Sequence, residues 1–314
     1  MNKNKKGNIV VSGSLVYDRI MNFPGYFKDH ILPDKIHILN VSFAINGLKE
    51  SFGGTAGNIA YNLALLGERP VVLGVGGEDF TKYEKWCKKN RVDVSKVKKI
   101  KGEQTASAYI ITDQADNQIT GFYPGPIDTK YCQIAAKINN VKLAIISPEF
   151  KERMVVYSKI YKKLNIPYIL DPGQQITSLT KNELRLAING SKVLIGNDYE
   201  IELIINKLKI TEAKLRKMTE ILITTKGAKG SQIFSNDKLF KIPSAKAKNT
   251  SDPTGAGDAY RAGLIKGLIS HWPLEKTGRL ASLVAVYTVE KYGTQTHRFN
   301  WSGLMKRYRE NYNI

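Results

Sequence analysis

The run Asp252-Pro-Thr-Gly-Ala-Gly-Asp258 puts two glycines, Gly255 and Gly257, and an acid, Asp258, at the start of a helix expected over Ala256 to about Ile269. The first turn of a helix carries N–H groups without intrahelical acceptors and the positive end of the dipole, so it favours an anion. Glycine lets the backbone approach that anion closely. A carboxylate beside an anion repels it. The conflict resolves if the anion is a phosphoryl group in transfer and Asp258 takes the proton of its acceptor. An acidic helix cap accounts for Asp258 alone but for neither glycine. Gly255, Ala256, Gly257 and Asp258 are therefore the candidate catalytic group.

Four other stretches have residue types suited to ligands. Gly53-Gly54-Thr-Ala-Gly-Asn58 is a second glycine-rich lead-in to a helix, and Asn58 offers both a donor and an acceptor, as a polyhydroxyl ligand requires. A tight strand-to-helix turn explains the same residues. Asp18 follows the first expected strand, where ligands of open α/β sheets bind; a lone acid there is also an ordinary solvated loop residue. Asn197-Asp-Tyr-Glu200 follows the strand Val193–Gly196. Asn197 and Glu200 share a helix face and suit a hydrated Mg²⁺, but equally form a capping box. Thr224-Thr-Lys-Gly-Ala-Lys-Gly-Ser231 ends a strand with Gly227 and Gly230, fitting either a nucleotide phosphate or a hairpin loop. No P-loop is present, and Gly74-Val-Gly-Gly77 does not match the dinucleotide fingerprint.

The elements around these motifs alternate. Buried strands are expected at Asn8–Ser12, Pro70–Val75, Lys142–Ser147, Pro167–Asp171, Lys192–Gly196 and Ile221–Thr225. Helical patterns begin after Gly54 and cover Thr81–Asn90, Lys151–Leu164, Lys181–Ile188 and Asp198–Leu208. Hairpins are expected at Ala106–Tyr123 and Gly230–Ile242. Two helices, Ala256–Ile269 and Leu274–Lys291, close the chain. This rhythm predicts a mainly parallel sheet covered on both faces. It is interrupted at about 15–50 and 103–125, which are strand-rich and irregular.

Composition sets bounds. The 314 residues hold 48 Lys and Arg against 28 Asp and Glu, a net of +20. The lysines are scattered without an aromatic interleave, so a solvated lysine-rich surface is expected rather than a nucleic-acid footprint. Cys87 and Cys132 have no metal-ligand spacing and read as ordinary thiols in a reducing cytoplasm. No apolar run has the roughly 18 residues needed to cross a bilayer. The apolar stretch after the basic start is short, as a buried strand and not a signal peptide.

In order and content the motifs resemble those of the PfkB, or ribokinase-like, family of carbohydrate and nucleoside kinases. Gly53–Asn58 is similar to its N-terminal signature, Asp252–Asp258 to its C-terminal signature and Asn197–Glu200 to its Asn-x-x-Glu motif. The resemblance implies a single α/β domain over 1–314, a three-layer sandwich with a mainly parallel sheet, whose segments 15–50 and 103–125 form a small β-rich lid. It implies an anion hole at Gly255, Ala256 and Gly257 with Asp258 as base. It implies a sugar site at Asp18, Ser14, Gly53, Gly54 and Asn58, and ATP along Asn197, Thr225, Gly227, Gly230 and Thr254. Glu200 and Asn197 would hold Mg²⁺ through water. Gln118–Gly125 and Tyr292–His297 look similar to prokaryotic adenosine and nucleoside kinases, which brings Gln118 and Phe122 to the acceptor, with Phe122 or Phe43 stacking on a base. Many relatives carry Asn between the first strand and the acid; here the region reads Gly13-Ser-Leu-Val-Tyr-Asp18. The expected activity is transfer of the γ-phosphoryl of ATP to the 5′-hydroxyl of a nucleoside, adenosine first. The alternatives are a kinase of ribose, fructose or a sugar phosphate and, more remotely, a non-catalytic nucleic-acid-binding protein. A monomer or a homodimer through the lid is expected, with neither a membrane nor a nucleic-acid partner.

Overall fold

The structure is a computed structural model that describes residues 7–38, 40–115, 117–126 and 130–313. Strand β1 (Asn8–Ser12) is followed by β2 (Val16–Asn22), β3 (Gly47–Gly53), α1 (Thr55–Leu65), β4 (Val71–Gly76), α2 (Thr81–Lys89) and β5 (Val97–Lys99). The hairpin β6 (Ser107–Thr112) and β7 (Gln118–Tyr123) precedes β8 (Val141–Ile146), α3 (Lys151–Lys163), β9 (Tyr168–Leu170), α4 (Lys181–Ile188) and β10 (Ser191–Asn197). Then come α5 (Asp198–Leu208), α6 (Glu212–Arg216), β11 (Thr219–Thr225), β12 (Ser231–Ser235) and β13 (Lys238–Ile242). Helices α7 (Ala256–Ile269), α8 (Leu274–Val289) and α9 (Trp301–Tyr312) end the chain.

Nine strands form one sheet in the order β13-β12-β11-β10-β9-β8-β1-β4-β5. It is parallel from β11 to β5; β12 and β13 join as an antiparallel hairpin. Successive residues of the central strands bury opposite faces. Ile9, Val11 and Ile145 pack with α1, α7 and α8, whereas Val10, Ala144 and Ile146 pack with α3, α4 and α5. Two apolar faces demand two covering layers, and the three-layer sandwich follows. Because the strands are parallel, their carboxyl ends align on one edge, bringing the residues around Ser14, Asp171, Asn197 and Thr225 to the same side.

The second sheet has the order β3-β2-β6-β7. Its strands fall within the two segments that interrupt the α/β rhythm. β2 pairs antiparallel with β3, Asp18 opposite Ser51, and parallel with β6. β7 is an exposed edge. The chain passes from β1 into this sheet through Gly13–Leu15 and returns from Gly53 directly into α1, so both exits border the same site.

Three elements were not expected. A third closing helix, α9, follows α8. Asn300 caps it by accepting from Gly303 N–H at 2.8 Å, and Leu304 and Tyr308 anchor it four residues apart. The short β5 pairs parallel with β4 through Val97 to Lys99 and forms one edge of the large sheet. The five-residue α6 lies between α5 and β11.

Candidate active site

Helix α7 begins at Gly255, which has φ of 77°. Only glycine takes that left-handed backbone without strain, and a Cβ here would lie 3.0 Å from Cγ2 of Thr294. The N–H of Ala256 is taken by the Pro253 carbonyl at 3.1 Å. Among the described residues, the N–H groups of Gly255, Gly257 and Asp258 have no protein acceptor. They leave the terminus open to an anion, but not through the expected set of Gly255, Ala256 and Gly257: Ala256 N–H is already paired, and Asp258 N–H stands in its place.

Asp258, in the first turn of α7, accepts a hydrogen bond from Nδ2 of Asn58 at 2.9 Å, although the two lie 200 residues apart. Burial pushes its carboxyl up to about 6, against the Arg261 guanidinium and the Asn58 amide, which both favour the ionised form. Arg261 is one turn further along α7 and buried. It donates to the Gly257 carbonyl at 2.9 Å, and its Nη2 donates to Asp171 Oδ1 at 2.8 Å. A second ion-pair contact runs from its Nε to the other oxygen of Asp171.

One side of Asp258 is built from β2, β3 and α1. Gly53 ends β3 beside Asp18, where a Cβ would lie 2.2 Å from Asp18 Oδ2; only a hydrogen leaves the carboxylate its place. Burial pushes Asp18 up to about 6, and the charge of Asp252 adds to it. Ser14 serves the first turn of α1: its Oγ accepts from Thr55 N–H at 3.0 Å and its carbonyl from Ala56 N–H at 3.0 Å. Thr294 donates to the Phe52 carbonyl, and Gly293 N–H to Asp252 Oδ2, both at 3.0 Å. The structure thus brings Asp18, Ser14, Gly53, Gly54, Asn58 and Gly255–Asp258 together.

Beyond Ser14, beside the second sheet, lies a small pocket of about 80 Å³ lined by Phe122, Glu149, Arg153, Gln174 and Gln175. Phe122 is 58% exposed on β7, free to stack. Gln118 sits at the far end of β7, four residues away, and lines no described pocket. Phe43 packs in an aromatic group with Phe23, Phe27 and His30. On the other side of α7 is a cavity of about 580 Å³, the size of a small-molecule site. Thr225, Gly227, Gly230, Ala256 and Gly257 line it, with apolar walls from Ala245, Ala285, Val286 and Val289. Pro253 borders it; Thr254 does not, and its N–H turns back to Asp252 Oδ1 at 2.9 Å.

Asn197 and Glu200 form a full capping box on α5: Glu200 N–H donates to Asn197 Oδ1 and Asn197 N–H to Glu200 Oε2, each at 2.8 Å. The alternative left open by the sequence is therefore realised. Glu200 also lies within electrostatic reach of the Asp171–Arg261 pair. Burial raises its carboxyl, and Asp171 and Arg261 are the charges that act on it. No group of three His, Cys, Asp or Glu suited to a metal occurs among the described residues. No helix among them is long and apolar enough to cross a membrane.

Sequence reasoning missed Asp171, Arg261, Gln174 and Gln175. Arg261 had a signal, its three-residue spacing from Asp258 on one helix face. Asp171 had one too, its place at the carboxyl end of an expected strand.

The geometry combines an open helix terminus, a carboxylate on its first turn, a cluster of polar groups from β2, β3 and α1, and a nucleotide-sized cavity. The pfkB family carbohydrate kinase profile matches residues 9–300. The chain belongs to this family. It is a kinase with the ribokinase fold, and its parallel sheet and smaller second sheet are those of its relatives. A nucleoside kinase of Methanocaldococcus jannaschii is 33% identical over 273 residues, covering 85% of this chain and 89% of that protein. A structure of the Burkholderia thailandensis nucleoside kinase in complex with inosine aligns with a TM-score of 0.87 at 31% identity, covering 98% of this chain and 97% of that one. The same enzyme in complex with ADP-inosine aligns at 0.84 and 33% identity, covering 98% and 96%.

Proposed function

We propose that this PfkB kinase transfers the γ-phosphoryl of ATP to the 5′-hydroxyl of a purine nucleoside. The observation that carries the reading is Asp258 at the open terminus of α7, between the hydroxyl-binding side and the 580 Å³ cavity. Asp18, Gly53, Gly54 and Asn58 would hold ribose hydroxyls, and Phe122 would stack on the base. The amides of Gln174 and Gln175, which can donate and accept, suit the polar edge of a purine. Nucleoside kinases from two organisms, one with inosine bound, support this acceptor class. The 80 Å³ pocket is smaller than a nucleobase requires, so the lid would open to admit one.

The chemistry asks little of the base. Phosphoryl transfer passes through a loose transition state, so Asp258 accepts the hydroxyl proton late. The N–H groups of Gly255, Gly257 and Asp258 stabilise charge on the transferring oxygens. Arg261 carries a positive charge toward Asp258 while Asp171 fixes its direction. ATP would lie along Asn197, Thr225, Gly227 and Gly230, its adenine against Ala245, Ala285 and Val286. Mg²⁺, when bound, supplies neutralisation of the phosphate charge. Glu200 and Asn197 would hold a hydrated ion, which needs few protein ligands; burial disfavours the charge on Glu200, and a dication beside it would offset that cost.

A second reading, a kinase of free ribose, draws on the ribokinase of Bacillus subtilis, 26% identical over 249 residues. A screen of ADP release with inosine, adenosine, guanosine, ribose and fructose separates the two. Nucleoside-dependent release at least about tenfold above the sugars is expected, one tenfold step being about 1.4 kcal/mol of selectivity. Turnover of free ribose with none of inosine or adenosine would overturn the nucleoside reading.

A further inference from the structure

The segment Tyr292–His297, singled out in the sequence, contributes one side chain that the mechanism above leaves unused. Gln295 is 4% exposed and lies between α1 and α2. Its Oε1 accepts from Nε1 of Trp86 at 2.8 Å. Its Nε2 donates to Asn58 Oδ1 at 3.1 Å and to the Tyr83 hydroxyl at 2.8 Å. Tyr83 in turn donates to the Gly53 carbonyl at 2.7 Å, so toward Gln295 its oxygen can only accept.

An amide can be turned end for end at little cost in shape, and its direction is set by its partners. Here every partner agrees. The indole N–H of Trp86 can only donate, so it fixes the oxygen of Gln295 toward itself. That leaves Nε2 for Asn58, which fixes Oδ1 of Asn58 toward Gln295 and its Nδ2 toward Asp258. Reversing Asn58 alone would face its NH₂ against that of Gln295 and its oxygen against the Asp258 carboxylate. Reversing both would face the Gln295 NH₂ against the Trp86 N–H. A buried donor or acceptor without a partner costs about 1–3 kcal/mol.

We propose that Gln295 is a positioning residue for phosphoryl transfer: oriented by Trp86, it holds the Asn58 amide as a donor to Asp258. The arrangement ties one oxygen of Asp258 to Nδ2 of Asn58 and leaves the other for the acceptor hydroxyl. This rests on the reading of Asp258 as the base. The remaining groups that face Asp258 are Arg261 from its own helix and Asp171 beyond β9, and both are held by each other. Through Tyr83 the same chain ends on the Gly53 carbonyl, at the exit of the second sheet.

The test compares Gln295→Leu and Gln295→Glu in the full chain. Leu removes the anchor of Asn58. Glu can still accept from Trp86 but cannot donate to Asn58, which is then driven to turn its oxygen onto Asp258. The expected order is a fall in kcat of about tenfold for Leu and about 100-fold for Glu, with KM for ATP within about twofold. The acidic limb of kcat/KM should move up by about one pH unit in both, because Asp258 loses a donor to its charged form. A limb that stays in place in folded variants of unchanged kcat would overturn the proposal. Should Gln295→Glu fail to fold, Trp86→Phe carries the same test, since it deletes the fixed donor with a ring that still stacks. There a several-fold loss of kcat with an upward-shifted limb is expected; wild-type kcat and pH profile would overturn it. If Asp258 is not the base, Asp258→Asn keeps its turnover whatever Gln295 does, so the two failures are told apart.

Discussion

Two helices of this kinase are preceded by a glycine with positive φ, Gly54 at 84° before α1 and Gly255 at 77° before α7. In sequence the two helix starts look alike. In the fold they differ in what covers the first turn. At α1 the protein fills its own terminus: Ser14 takes the N–H groups of Thr55 and Ala56, and Thr55 Oγ1 reaches the Pro148 carbonyl at 3.0 Å. At α7, among the described residues, only Ala256 of the first turn is served from within, and Gly257 borders a nucleotide-sized cavity. A glycine-rich helix start is thus a means of bringing backbone close to something, and the neighbouring strand ends decide whether that is protein or ligand. The difference extends to the side chains. The closed terminus delivers an amide, Asn58, and the open one a carboxylate, Asp258, and the 2.9 Å bond between them joins the two.

Disabling the open terminus should have the largest effect. Asp258→Asn should lower turnover by about 10²–10⁴-fold while calorimetry finds nucleoside and ATP binding nearly unchanged. The same variant should melt higher at pH 7. The carboxyl is raised in the fold, so its ionised form costs stability above pH about 6, and the cost disappears as pH falls toward its unfolded value near 4. Melting curves at pH 5 and 7 check that sign.

Gly255→Ala comes next. It forces a Cβ toward Thr294 at a left-handed position and should reduce single-turnover transfer by about 10²-fold, the scale of losing one oxyanion donor. Glu200→Gln should raise the Mg²⁺ concentration for half-maximal rate by about tenfold, the scale of a ligand-supporting residue. Titration at saturating ATP measures it, and an unmoved midpoint would leave Glu200 as a capping residue alone. The smallest effect belongs to the closed terminus. Thr55→Val removes the hydroxyl that binds Pro148 and Ser147, and should cost about 1 kcal/mol in urea unfolding while changing kcat by less than about threefold.

How much of the molecule is readable from its sequence depends on distance along the chain. The strands from β1 to β13 that carry continuous apolar runs, and the capped helices α4 and α5, are set by local pattern, and they lie where the sequence puts them. Helix α9 escapes such a reading because only Leu304, Arg307 and Tyr308 are buried among many charged residues, a stripe too thin to register. The site is legible in its motifs but not in its pairings. Asp171 and Arg261 are 90 residues apart, Gln295 and Asn58 are 237 apart, and neither motif carries a sign of its partner. Asn197 and Glu200 show the converse: a local pattern complete as a cap, whose wider role only its neighbours Asp171 and Arg261 bring into view.

For the proposed transfer, Asp258 must be ionised to take a proton at the open terminus of α7. The sharpest test is the pH dependence of kcat/KM, measured from pH 5 to 9 in the wild type and in Asp18→Asn, since burial also raises Asp18 to about 6. An acidic limb near pH 6 that survives in Asp18→Asn is the predicted result; a profile flat down to pH 5, or a limb that vanishes with Asp18, would contradict it.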